Sequence, residues 1–141
     1  KERVSEYMDN MIIDLAMYRI EKAKDDLEAS KIMLENNLFA QSLNRSYYSI
    51  FHAVRAILAF EKYDSKKHSG IIAYFNQNFV GKGIFDKKYS KILMGAEKIR
   101  NKSDYNDFYI ACKEDAEEQI RNAIEFIDTM ESYTKEKVGK E

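Results

Sequence analysis

The strongest constraint in this 141-residue chain is a hydrophobic period of three and four residues that runs through several long stretches with no proline to interrupt it. Ile13, Ala16, Ile20, Ala23, Leu27, Ser30 and Leu34 line one face of a first helix, with Asp25, Asp26, Glu28 and Lys31 between them. That helix is predicted at about 24 residues, some 35 Å long. Asn36-Asn37 supplies a break by left-handed or capping geometry, and a second helix from near Leu38 carries Leu43, Tyr47, Ile50, Val54 and Ile57. So tight a connection makes the two helices antiparallel neighbours. The polar run from Tyr63 to Ser69 ends the second helix and is expected to cap a shorter third, built on Ile71, Ile72, Phe75 and Phe79. Gly81 and Gly83 mark a loop. Phe85, Tyr89, Ile92, Ala96 and Ile99 define a fourth helix closing near Arg100, and Ala116, Ile120, Ala123, Ile127 and Met130 define a fifth. Between these two, the polar segment from Asn101 to Cys112 shows no helical period and reads as a loop, while the tail after Tyr133 is expected to fray. The pattern predicts an all-α fold: an up-and-down antiparallel bundle of about five helices, one domain over residues 1–141 with its core at about 11–133.

Several function classes fall away on the same residues. The lone Cys112 forms no internal disulfide, and His52 and His68 beside it are too few for a closed zinc site, so no metal and no cofactor is expected and a reducing, cytoplasmic setting is the natural reading. No apolar run approaches the length of a membrane span, and the opening residues lack the apolar core of a signal peptide, so no membrane association is expected. The five glycines are scattered turn residues, which excludes a phosphate loop. A di-iron bundle needs Glu three residues before each His, and Ser49 and Ser65 stand there instead. The formal charge of −1 hides an uneven distribution. Between Glu61 and Lys102 ten Lys/Arg face four Asp/Glu, net +6, while the remainder is acidic.

Two features carry chemistry. On the second helix Arg45, Tyr48, His52 and Arg55 follow one another at three, four and three residues, nearly opposite the apolar stripe. This cationic and aromatic face is either a partly packed surface or a ligand or subunit contact. The fourth helix closes with Lys98, Arg100 and Lys102, followed by Ser103, Asp104 and Tyr105. Cations there suit the helix dipole, and they also suit an anionic ligand.

Three strings, from Asn44 to Leu58, from Lys66 to Val80 and from Arg100 to Phe108, together resemble the HEPN domains, in particular a stand-alone prokaryotic branch related to the helical bundles that accompany minimal nucleotidyltransferases. The resemblance runs from about Met11 to Tyr133. It implies a helical bundle, often a homodimer, and in many members a metal-independent ribonuclease, often a toxin. The ribonuclease motif is an Arg, commonly followed by a polar residue, with a His after four to six intervening residues. Arg100 matches the arginine and Asn101 the polar residue, but Tyr105 stands where the nearest-spaced histidine would be. An imidazole exchanges protons near neutral pH and a phenol does so poorly, so the motif is degenerate unless His52 or His68 reaches Arg100. The resemblance thus implies nucleotide or RNA phosphate binding by Arg100, Asn101, Lys102, Asp104 and Tyr105, with Tyr48, His52 and His68 as further candidates, in a homodimer that brings two Arg100 segments to a shared cleft. The alternatives are a divergent metal-independent ribonuclease of toxin–antitoxin type, using Arg100 and Tyr105 catalytically, and an interaction partner of a minimal nucleotidyltransferase.

Overall fold

The computed structural model describes residues 2–139, apart from the side chains of Glu2 and Tyr105. It contains five α-helices and, among the described residues, no strand: α1 (Glu2–Glu35), α2 (Phe39–Ala59), α3 (His68–Phe75), α4 (Lys87–Tyr105) and α5 (Lys113–Gly139). The chain turns from α1 to α2 through Asn37, whose φ of 60° is the left-handed geometry anticipated for the Asn pair. Ser30 and Ser42 then lock the two helices antiparallel, each hydroxyl donating to the other residue's carbonyl at 2.7 and 2.9 Å. Their small side chains let the backbones approach closely, and both are fully buried.

α2 is the spine of the bundle, packed on α1, α3, α4 and α5. Its anticipated stripe, Leu43, Tyr47, Ile50, Val54 and Ile57, is buried throughout. Gln119 of α5 reaches across to donate to the Leu43 carbonyl and to Ser46, whose hydroxyl itself donates to that carbonyl, so the buried Gln119 amide is satisfied by α2. At the other end, Phe75, Phe79, Phe85, Tyr89, Phe126 and Tyr133 form an aromatic cluster with ring centres 5.3–6.2 Å apart. Such pairs add about 0.5–1.5 kcal/mol each beyond area burial. A five-residue π-turn, Asn76–Val80, carries α3 into this cluster with Phe79 pointing inward.

The sequence expectation needs correction at four helix ends. α1 begins far earlier than Ile13 and spans 34 residues. α4 runs on to Tyr105, so Arg100, Asn101, Lys102 and Asp104 lie on a helix, and the intervening loop is only residues 106–112. That last turn is mostly exposed, so it has no apolar face to display a period. The stretch after Tyr133 stays helical to Gly139, anchored by Thr134, which is buried and donates to the Met130 carbonyl. α3 starts at His68 without a side-chain cap; Ser65 instead accepts from the Lys67 amide just before it.

Candidate functional site

His68 and Arg100, 32 residues apart in the chain, meet where α2, α3 and α4 converge. Tyr47, Tyr48 and Phe51 lie within one turn near the middle of α2, His68 opens α3, and Arg100 lies in the penultimate turn of α4. The His68 ring stacks on Phe51 with centroids 4.1 Å apart, and its Nδ1 lies 3.0 Å from the Tyr47 hydroxyl. Arg100 Nη1 is 3.5 Å from the same Nδ1, a long contact. A guanidinium only donates, so Nδ1 is the accepting nitrogen and the imidazole carries its proton on Nε2.

Arg100 is held by ring faces more than by carboxylates. Its guanidinium carbon sits 5.2 Å from the Tyr47 ring centre and 5.3 Å from that of Tyr48. Asp104, one turn on, is 3.5 Å from Nε, in ion-pairing range, yet buried Nε makes no hydrogen bond. The charge is therefore positioned without being fully neutralised. Tyr48 is sandwiched, with Arg45 4.9 Å from the same ring. Burial first, then Arg100 and Arg55, lower the His68 pKa, which keeps the ring neutral at pH 7 and able to accept a proton. Burial pushes the Tyr47 phenol well above its usual range, so that hydroxyl stays protonated.

The other sequence candidates separate into distinct neighbourhoods. His52 does not join Arg100; its Nε2 faces Asp26 on α1 at 3.4 Å, and Asp26 in turn holds Arg45 at 3.2 Å. Asn101 and Lys102 line an open groove of about 950 Å³ along α4 that His68 does not border, with Lys91, Met94 and Lys98. Asp104 borders a smaller groove with Asn44 and Arg45. The backbone of Tyr105 closes α4, but its side chain lies outside the described residues. Among the described residues no three His, Cys, Asp or Glu side chains gather closely enough to hold a metal ion, and no helix is long and apolar enough to cross a membrane.

Sequence reasoning took Tyr47 as core only and did not single out Phe51; both are buried. The available clue was that a buried tyrosine needs a partner for its hydroxyl, and His68 is that partner.

The sequence matches the HEPN domain family over residues 16–133. A Methanocaldococcus jannaschii protein named "Putative toxin" is 36% identical over 117 residues, covering 83% of this chain and 87% of that protein. A second "Putative toxin" of the same organism is 30% identical over 114 residues, 81% of this chain and 78% of the relative. A UPF0332 protein of Thermotoga maritima is 32% identical over 110 residues, 78% and 83% of the two chains. With most of its length matched, its helices arranged as a bundle and its Arg100 motif seated against α2, this chain belongs to the HEPN domain family.

Proposed function

We propose that this chain binds the phosphate of a nucleotide or RNA at Arg100. The observation that carries this reading is the guanidinium itself, propped between Tyr47 and Tyr48 with no hydrogen-bonded carboxylate on Nε. A planar, delocalised cation so held offers a fork to a phosphate oxygen pair, and the surrounding basic surface of α4 raises local polyanion concentration. Arg100→Ala is expected to lower RNA or nucleotide affinity at least tenfold and to reduce its salt dependence, measured by fluorescence anisotropy. Equal binding by the variant and the parent, or no binding by the parent at low salt, contradicts the reading.

A second reading, metal-independent RNA cleavage, is favoured by one observation: His68 supplies beside Arg100 the imidazole that the linear motif lacks. In that chemistry the 2′-hydroxyl oxygen attacks the adjacent phosphorus, its proton passes to a base, the bond to the 5′-oxygen breaks and that oxygen takes a proton. Neutral His68 is suited to the proton exchange, and Arg100 to the charge that grows on the phosphorane oxygens. Chelator-resistant cleavage of RNA lost in both His68→Gln and Arg100→Ala supports it, and RNA left intact at high protein concentration excludes it. The toxin names of the relatives bring a toxin–antitoxin role, in a cytoplasmic setting, into this proposal, and growth arrest on expression that requires Arg100 is its cellular test.

A further inference from the structure

Neither reading uses Arg19, Arg55, Ser65 or Lys66, yet these residues form a cationic feature next to the site. Arg19 is only 8% exposed; its Nη1 donates to the Arg55 carbonyl at 2.9 Å and its Nη2 lies 3.5 Å from Asp64 Oδ2. Arg55 Nη2 donates to that same Asp64 oxygen at 2.9 Å. One carboxylate thus serves two guanidiniums, and Arg55 Nε is buried with no hydrogen-bond partner. A positive charge left over in a half-dry setting is costly unless an anion meets it. Arg55 and Asp64 wall an open groove of about 650 Å³ together with Phe51, Ser65, Lys66 and His68. Lys66 is exposed and pairs with no carboxylate among the described residues. The volume falls within the roughly 300–1,000 Å³ typical of small-ligand sites.

His68 links the two regions: its Nδ1 lies 3.5 Å from Arg100 Nη1, and the residue also lines this groove with Arg55 and Lys66. Arg100 and Arg55 both act on its protonation, which places both cations within electrostatic reach of a single imidazole. We infer that the Arg55–Lys66 groove is a second phosphate subsite, so that the protein takes a single-stranded polynucleotide lying across His68, with neighbouring phosphates at Arg100 and at Arg55. This rests on the proposed phosphate at Arg100. A mononucleotide fills one of the two positions; a strand fills both and releases counterions at each.

The test compares the full chain with Lys66→Ala, Arg55→Gln and Arg100→Ala, using a labelled six-nucleotide single-stranded RNA and AMP as probes over a range of salt. Lys66→Ala, at an exposed position, leaves folding intact, and circular dichroism checks the fold of Arg55→Gln. Each subsite variant is expected to weaken hexanucleotide binding about three- to tenfold and to lower the salt slope by about one, while AMP affinity changes less than about twofold. Arg100→Ala is expected to weaken both probes. Hexanucleotide affinity and salt slope unchanged in both subsite variants, with Arg100→Ala still defective, overturns the second subsite and leaves the Arg100 reading standing. A parent protein that binds neither probe at low salt removes the Arg100 reading and the subsite with it.

Discussion

His52 shows how surroundings decide what a residue can do. On sequence it is as strong a candidate as His68, since either imidazole could replace the histidine that the linear motif lacks. Burial, then Lys22, Arg55, Arg45 and Arg19, hold its pKa down to about 4, against the single carboxylate of Asp26. The folded protein therefore keeps His52 neutral while the unfolded chain protonates it at its ordinary 6.5. Between those two values the unfolded state binds more protons, so stability is lost as pH falls from about 6.5 towards 4. Asp26, whose pKa burial raises, works in the opposite direction. His52→Gln removes the histidine contribution alone. Denaturant titrations at pH 7 and pH 4.5 are expected to show a smaller acid loss in the variant, by on the order of 2 kcal/mol. An unchanged difference between the two pH values contradicts the assignment. His68, in contrast, sits 32 residues from Arg100 along the chain, and no spacing rule connects them.

Helix identity was legible wherever a helix faces the core, and helix length was not. Ala16, Ile20 and Ala23 on α1 and Ala116, Ala123 and Ile127 on α5 are buried as their period requires. Residues 101–104 lie largely outside the packed interface, so their sequence records solvent and not a core. The early start of α1 was recoverable, because Val4, Tyr7, Met8 and Met11 continue a three-and-four spacing through Leu15 and Tyr18. Close helix approach leaves its own mark as small residues: Ser30, Ser42, Ser46 and Ser49 are all fully buried. Ser42→Leu is expected to force α1 and α2 apart and leave the Ser30 hydroxyl with one partner fewer. The cost is about 3 kcal/mol, which lowers the unfolding midpoint by roughly 10 °C in calorimetry. A shift of less than about 2 °C contradicts this account of the α1–α2 contact.

At the scale of the molecule, α1 overhangs its neighbours. Its 34 residues rise about 51 Å against about 31 Å for the 21 of α2. Arg19 already reaches the carbonyl of Arg55 in the last turns of α2, so the N-terminal part of α1 projects past that helix. There Val4, Tyr7, Met8, Met11, Leu15 and Tyr18 are 41–66% exposed in one stripe. A lone helix of this length with an apolar stripe is marginal in water. A second copy packed antiparallel about Met11 sets Val4 against Tyr18 and Tyr7 against Leu15, which satisfies the self-complementarity a two-fold axis demands. A homodimer is the expected state in light scattering at micromolar concentration, and Met11→Glu is expected to yield a folded monomer; a monomeric parent protein overturns this. The amino-acid order alone determined the helical class, the break at Asn37 and the buried stripe of α2, because each follows from contacts within a few residues or from a period set by one helix. The tertiary structure alone decided which histidine meets Arg100, that buried Tyr47 packs beside both, and that Asn101 and Lys102 line a separate groove. Those facts depend on how far each helix extends and how α2, α3 and α4 cross, and these are set by packing between residues distant in the chain.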